Sequence, residues 1–259
     1  MNKSKHTGAD EDKSADEVTH RAKAVSKRLA HEIPTVLVEL DHANPWQLLI
    51  ATILSAQSND KTINRVTPAL FAAYPTPEAL AMADQSEAEA IVKPTGFFRN
   101  KARAIRETSR VLVEEFKGVV PRTMPEILTL PGVARKTANV VLGIGYGVAA
   151  GVVVDTHVGR VARRLELTAQ ENPTKVERDL MDCFPSSAWI ATGTRMVLHG
   201  RYVCLARAPA CGRCCLNELC PSAEAPAAES WTARADAARG IIESRGAETS
   251  HSVVPTTPG

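Results

Sequence analysis

One periodicity runs through nearly the whole body of this chain, and it restricts the fold more than any other feature. Apolar residues recur at three-to-four spacing over 21–31, 33–40, 45–57, 60–73, 77–81, 86–93, 99–116, 124–130, 135–146, 156–166, 173–183 and 187–199. That spacing puts one apolar stripe on each of a succession of helices. Pro34, Pro45, Pro75, Pro77, Gly96, Gly118, Pro121, Pro125, Pro173 and Pro185 separate them, so the loops are short. Strand alternation is almost absent, and only Val152–Val154 reads as a short extended piece. Aromatic residues make up 4% of the chain, which also weighs against a sandwich or barrel. The expected class is all-α, and 259 residues at 44% hydrophobic content suffice for one large domain or two medium ones.

The two ends lack this pattern. Residues 1–20 are polar and charged, and residues 222–259 are rich in Ala, Ser, Thr and Pro, so both read as disordered tails. Each tail carries three basic and five acidic side chains; with a total of +2, the body between them stands at +6. A basic body suits a polyanionic partner, although a charge of this size favours nucleic acid only weakly. The longest uncharged stretch, Val140–Val154, is interrupted by glycines and falls short of the roughly 20 residues that span a bilayer. The N-terminus has no apolar core of the signal-peptide kind. The expected compartment is the cytoplasm, where cysteines stay reduced.

Four of the six cysteines crowd together. Cys204, Cys211, Cys214 and Cys220 form C-x6-C-x2-C-x5-C within 17 residues. So many soft ligands so close together point to a metal centre, because each thiolate needs a cation to offset its charge. A zinc ribbon would show two C-x2-C knuckles, and only one is present. A [4Fe–4S] cube, which takes four cysteines at irregular spacing, fits better. Adjacent Cys214 and Cys215 cannot both be ligands on this pattern; Cys215 and the isolated Cys183 read as small buried hydrophobes. From Arg195 through Arg201, Arg207 and Arg213 to Asn217 there is no acidic residue. Arg207, in a loop that the metal ties at both ends, is placed to meet a phosphate backbone as readily as to serve a solvated face.

A second tract, PEILTLPGVARKTANVVLG, runs from Pro125 to Gly143. Pro125 suits a first helical turn, Leu130 closes that helix, Pro131-Gly132-Val133 makes a tight hairpin and a second helix opens near Ala134. Backbone N–H groups at such a helix start can hold a phosphate oxygen, as a helix-hairpin-helix does on one DNA strand. Lys136 falls in the first turn, where the helix terminus is already partly positive and Arg135 adds a like charge, so an ammonium there is disfavoured. A neutral amine is what attack on a sugar carbon requires. The plain reading of Lys136 is a solvent-facing lysine. Asp155, emerging from Gly151-Val152-Val153-Val154, reads as a helix N-cap or as a catalytic carboxylate, and one oxygen can serve each role.

Together these tracts resemble the endonuclease III family, bifunctional DNA glycosylases and abasic-site lyases of the helix-hairpin-helix superfamily. The resemblance runs from about Lys23 to Pro221 and rests on NPWQLLIATILSAQSND, LPGVARKTANVVLG, VVDTHVGRVARRL and LHGRYVCLARAPACGRCCLNELC. It implies that Lys136 is a Schiff-base nucleophile with Asp155 as its carboxylate partner. It also implies a [4Fe–4S] cluster on Cys204, Cys211, Cys214 and Cys220, which selects Cys214 over Cys215. The implied lobes are a cluster domain of residues 21–37 and 150–221 and a six-helix domain of residues 38–149 carrying the hairpin at 125–143, with DNA in the cleft. Gln57 falls where the family fills the gap left by a flipped nucleotide. Leu130, Gly132, Val133, Ala134 and Arg135 of the hairpin, with His157 and Arg207, become DNA contacts.

Three positions depart from the family pattern. Ala134 replaces the second glycine of LPGVG, which would crowd a phosphate if the site needs φ freedom, or merely favour the second helix if its backbone is helical. Asn59 stands where threonine is common, and Phe97 takes the place of the leucine wedge of GLYNxKA. The function implied is a monomeric repair enzyme that excises oxidised pyrimidines from duplex DNA and cleaves the abasic site by β-elimination. Two other readings are an adenine-specific mismatch glycosylase of the same superfamily and a catalytically silent DNA-binding protein with a redox-sensing cluster. Lys136 and the short C-terminal tail argue against the first.

Overall fold

A computed structural model describes residues 8–36 and 38–247. Every regular element is helical, and no strand forms among the described residues. The chain divides into two compact units, one of Met1–Val36 with Gly151–Glu243 and one centred on Leu37–Ala150.

The second unit holds α2 (Pro45–Ser55), α3 (Asp60–Ala73), α4 (Pro77–Ala81), α5 (Gln85–Val92), α6 (Phe98–Phe116), α7 (Met124–Ile127) and α8 (Arg135–Val140). Their starts are chemically marked. Asn44 accepts the Gln47 N–H at 2.9 Å with Pro45 in the first turn, Thr76 accepts the Ala79 N–H at 3.2 Å before Pro77, and Asp84 accepts from Ser86 and Glu87. From Trp46 to Leu54 every residue of α2 but Gln47 is buried, so this helix forms the middle of the unit. Ile63, Leu70, Leu80, Ile105, Leu112, Ile127 and Leu142 pack around it.

The other unit holds α1 (Gly8–Glu32), α9 (Thr156–Arg164), α10 (Pro173–Cys183), α11 (Trp189–Tyr202) and α12 (Trp231–Ala247). Ala22, Val25 and Leu29 of α1 meet Val158, Val161, Leu180 and Met196 in one core, and Ile33, Leu198, Val203, Ala238 and Ile242 form a smaller one.

The helix boundaries differ from expectation in several places, and α7 stops at Ile127, short of the expected Leu130. The described residues of 33–40 are not helical: α1 ends at Glu32, just before Ile33 and Pro34. The second hairpin helix is not continuous over 135–146; its α geometry stops at Val140 and widens to a π turn over Val141–Gly145. Both supposed tails contain helix. Residues 8–20 belong to α1, whose stripe of Val18, Ala22, Val25 and Leu29 continues into good helix formers upstream. Residues 231–247 form α12, whose buried stripe is Arg234, Ala235, Ala238 and Ile242, with too little hydrophobicity for a composition argument to register. Residues 1–7 and 248–259 lie outside the described residues.

Arg234 explains why α12 docks. It is 2% exposed, donates through Nε to the Cys214 carbonyl at 2.8 Å and pairs through Nη2 with Glu218, which Arg28 also holds. These two arginines overcome the burial of Glu218 and hold its carboxyl down at about 2. Arg234→Ala is expected to cost about 1–3 kcal/mol, because the Cys214 carbonyl and Glu218 lose a charged donor. A calorimetric melt reads this at roughly 2–4 °C per kcal/mol, and an unchanged melting temperature would show that α12 contributes nothing there.

Candidate active site and metal centre

The hairpin is built from the turn outward. Thr123 caps α7 by accepting the Glu126 N–H at 3.4 Å, and Leu130 is buried. The Val133 N–H closes the turn on the Leu130 carbonyl at 3.2 Å, and Thr108 donates to the Pro131 carbonyl at 2.5 Å. Gly132 has φ +73°, and a Cβ there would lie 3.3 Å from the Ala104 Cβ, so both backbone and space call for glycine.

Ala134 settles differently from both alternatives considered above. Its φ of −95° and ψ of 168° make it the extended N-cap of α8, not a helical residue and not a positive-φ one. Alanine adopts this backbone without strain, so the φ argument for crowding does not apply. What alanine lacks is a capping side chain, and glycine is the better of the two at such a position. Ala134→Gly is therefore expected to raise stability by a few tenths of a kcal/mol in urea unfolding. A loss of about 1 kcal/mol would indicate a helical residue instead.

Lys136 is the second residue of α8 and is exposed, while Ala138, Asn139, Val141 and Leu142 are buried and anchor the helix. No described residue forms an ion pair with it. The π turn that follows lets Gly145 lie against Pro45, where an added Cβ would approach the proline Cβ to 3.2 Å. Such turns often accompany functional sites.

Asp155 caps α9: one carboxylate oxygen, Oδ1, accepts the Val158 N–H at 2.8 Å. Its Oδ2 has no hydrogen-bond partner among the described residues. The half-buried carboxylate thus fills the capping role its sequence context suggested with one oxygen and leaves the other available. His157 is half-buried, and its Nδ1 accepts from Arg160 at 3.2 Å, which leaves Nε2 to carry the proton of a neutral ring. Arg160 also donates to the Gly200 carbonyl at 2.7 Å and to the Cys204 carbonyl at 3.0 Å, joining α9 to α11 and the cysteine loop. Lys136 and Asp155 belong to different units of the chain.

Two further residues occupy backbone that side chains rarely adopt. Gln57, exposed in the turn after α2, has φ +53°; Phe97, before α6, has φ +46° and is 66% exposed. A left-handed non-glycine residue costs on the order of 1–3 kcal/mol and persists only where its surroundings enforce it. Beside Phe97 lies Lys101, a buried amine that is not among the site residues expected from the sequence. Lys101 is 6% exposed; its Nζ donates to the Thr95 carbonyl at 2.7 Å and its N–H to the Phe97 carbonyl at 3.1 Å. Burial pushes its amine below the usual lysine value. The available signal was its place on the apolar stripe of Phe98, Ala102 and Ile105. Asn59 is the N-cap of α3, accepting the Thr62 N–H at 2.8 Å, a role threonine also fills, so this departure is conservative.

The four spaced cysteines line one small cavity together with Arg164, Val203, Pro209 and Asn217. Donors surround their sulfurs: Arg164 reaches Cys204 Sγ at 3.2 Å and the Leu216 N–H reaches Cys214 Sγ at 3.4 Å. Burial, and behind it the neighbouring sulfurs of Cys214, Cys204 and Cys211, push the Cys220 thiol up. A set of four thiolates there requires a cation, so the residues fit a cationic metal cluster. Cys215 does not line the cavity. It is fully buried in the core, its Sγ lies within 4.8 Å of Glu32 and His199 ligand atoms, and burial with the Glu32 charge keeps its thiol far above the normal range. Half-buried Cys183 is likewise pushed up by burial to about 11.

The arginine run separates by role. Arg195 is half-buried and donates to the Ile33 carbonyl at 2.9 Å, and Arg201 is half-buried too, whereas Arg207 and Arg213 are exposed. Half-buried Arg135 and exposed Arg207 complete the positions marked as DNA contacts. No helix among the described residues is long and apolar enough to cross a membrane.

A glycine-dependent hairpin on an all-helical body defines a class, and the family model for the HhH-GPD superfamily base excision DNA repair protein matches residues 50–186. Endonuclease III of Synechocystis sp. is 54% identical over 192 residues, covering 74% of this chain and 88% of that protein. Endonuclease III of Bacillus subtilis is 41% identical over 194 residues, covering 74% and 88%. The solved structure of a trapped endonuclease III–DNA covalent intermediate, an estranged-adenine complex, matches with a TM-score of 0.76 at 39% identity, over 80% of this chain and 97% of that one. The chain belongs to the endonuclease III family of base-excision repair DNA glycosylases and abasic-site lyases.

Proposed function

We propose that this enzyme excises oxidised pyrimidines from duplex DNA and then cuts the strand on the 3′ side of the resulting abasic site. Lys136 is the nucleophile and Asp155 its carboxylate partner. The observation that carries the reading is Lys136 itself, an exposed, unpaired amine on the first turn behind the hairpin. The covalent endonuclease III–DNA intermediate named for a relative supports it.

The damaged nucleotide leaves the stack, at an unstacking cost of a few kcal/mol that Gln57 and Phe97 offset by filling the gap. The Lys136 amine attacks C1′, a C–N bond forms, and the bond from C1′ to the base breaks. Asp155 stabilises the oxocarbenium character and takes the amine proton. The sugar ring opens to a Schiff base, the C2′ proton becomes acidic, and its loss expels the 3′ phosphate. Hairpin N–H groups around Leu130, Gly132, Val133, Ala134 and Arg135 hold a phosphate, as do His157 and Arg207. Cys204, Cys211, Cys214 and Cys220 would hold a [4Fe–4S] cluster, which supplies rigidity to their loop and one-electron redox capacity.

The test is an end-labelled duplex carrying one oxidised pyrimidine. Strand cleavage to a 3′-unsaturated aldehyde is expected; binding without cleavage, or release of adenine from an adenine–guanine pair, would overturn the proposal. Asp155→Asn separates the two roles of that residue. Asparagine caps α9 as well as aspartate does, so the melting temperature should hold while the single-turnover rate falls by about 10²–10⁴-fold. An unchanged rate would reduce Asp155 to a cap.

A further inference from the structure

Beneath the cysteine loop lies a buried polar group that the repair chemistry does not use. Glu32 closes α1 and is 0% exposed, and His199 of α11 is 1% exposed. Glu32 Oε2 accepts from His199 Nδ1 at 2.7 Å, and His199 Nε2 lies 3.5 Å from Cys214 Sγ. The other oxygen of Glu32, Oε1, has no hydrogen-bond partner. A carboxylate held this deeply is costly unless paired, and the nearby arginines bind elsewhere: Arg28 holds the Cys215 carbonyl and Glu218, and Arg234 holds the Cys214 carbonyl and Glu218 through Nε and Nη2, its buried Nη1 having no hydrogen-bond partner. Glu32 is hydrogen-bonded to His199, whose other nitrogen faces a ligand sulfur, and the Cys215 thiol lies beside the same carboxylate.

A metal-bound thiolate carries no proton and can only accept. With Nδ1 committed to Glu32, the contact at Cys214 is favourable only if Nε2 also donates. We propose that Glu32 and His199 are positioning residues for the metal centre: Glu32 orients the ring so that Nε2–H donates to the Cys214 sulfur, and this bond raises the reduction potential of the iron–sulfur cluster. The inference rests on the four-cysteine reading of the cluster. Its physical basis is that a donor on a ligand sulfur draws off electron density and stabilises the more electron-rich reduced state.

Removing the ring alone would strand a buried carboxylate, so the informative variant replaces both partners by apolar groups of similar shape, Glu32→Leu with His199→Phe. Iron content and the cluster's reduction potential are measured on whole protein by mediated titration. The double variant is expected to keep about four irons per chain. Its oxidised-to-reduced ratio at a fixed potential should shift at least about tenfold toward the oxidised form, which is about 59 mV for one electron. His199→Gln, whose amide can still donate toward Cys214, should recover most of that shift.

A control in the same seam between α1 and α11 is Ser26→Ala with Thr192→Val, which removes the 3.2 Å hydroxyl contact there. It should leave the potential unmoved. Full iron with an unmoved potential in the Glu32→Leu/His199→Phe protein would overturn the proposal alone. Loss of iron from that variant, or an equal shift in the Ser26/Thr192 control, would overturn it in favour of a purely structural role. One zinc per chain that disappears in Cys215→Ser would overturn it by assigning Glu32, His199 and Cys215 to a second metal. Wild-type protein without iron would overturn the cluster reading and the proposal with it.

Discussion

Lys136→Ala is expected to abolish borohydride trapping on abasic duplex and to lower the elimination rate by roughly 10⁴-fold or more, as loss of a covalent nucleophile does elsewhere. The effect on binding should be small. Lys136 contributes one positive charge, so its removal changes the DNA dissociation constant by less than about tenfold and the salt slope by about 1. The mutation should not disturb the fold, because the side chain is exposed while Ala138, Asn139 and Leu142 hold the helix from the other side. Single-turnover kinetics on an abasic duplex, with binding measured at matched salt, separates the two effects. Trapping that persists undiminished would move the nucleophile to another amine. A loss of binding as large as the loss of rate would make Lys136 a phosphate contact instead.

The second large effect lies in two neighbouring cysteines. Cys214→Ser should leave purified protein with less than about one iron per chain, against about four for a [4Fe–4S] centre. Because metal binding is part of the folding free energy of such a loop, its melting temperature should fall as well. Cys215→Ser should keep both the iron and the colour. The hydroxyl enters the core beside Glu32, at a cost of about 1–2 kcal/mol with no ligand lost. The contrast is sharp because the residues are adjacent, so any effect spread along the chain would touch both. Equal iron in the two variants would dismiss Cys214 as a ligand. Zinc in place of iron in anaerobically prepared wild-type protein would change the metal while leaving the ligand set intact.

Much of the fold is written locally. A stripe at three-to-four spacing needs only near neighbours to specify it, and the starts of α2, α4 and α10 are marked by Asn44-Pro45, Thr76-Pro77 and Asn172-Pro173. The hairpin is local too, since φ +73° with Ala104 close by calls for glycine and the turn Pro131-Gly132-Val133 has one to offer. Asp155 as a cap, and the crowding of four thiols, likewise follow from residues a few positions apart. Sequence reasoning failed where partners are distant or where the side chain contradicts its surroundings. The helix α12 docks through a buried arginine whose acceptors are Cys214 and Glu218, so hydrophobicity could not announce it.

By itself the sequence determined the helical class, the hairpin, the spacing of the cysteines and the position of the lysine, because each is a short-range pattern of backbone preference or ligand chemistry. The tertiary structure alone decided that α12 docks through Arg234, that the Lys101 amine is buried against the Thr95 carbonyl, and that Glu32 meets His199 across 167 residues. Those outcomes depend on which atoms lose water together when the helices pack. A buried carboxylate or amine acquires its partner only at that step, and nothing in its own neighbourhood along the chain names that partner beforehand.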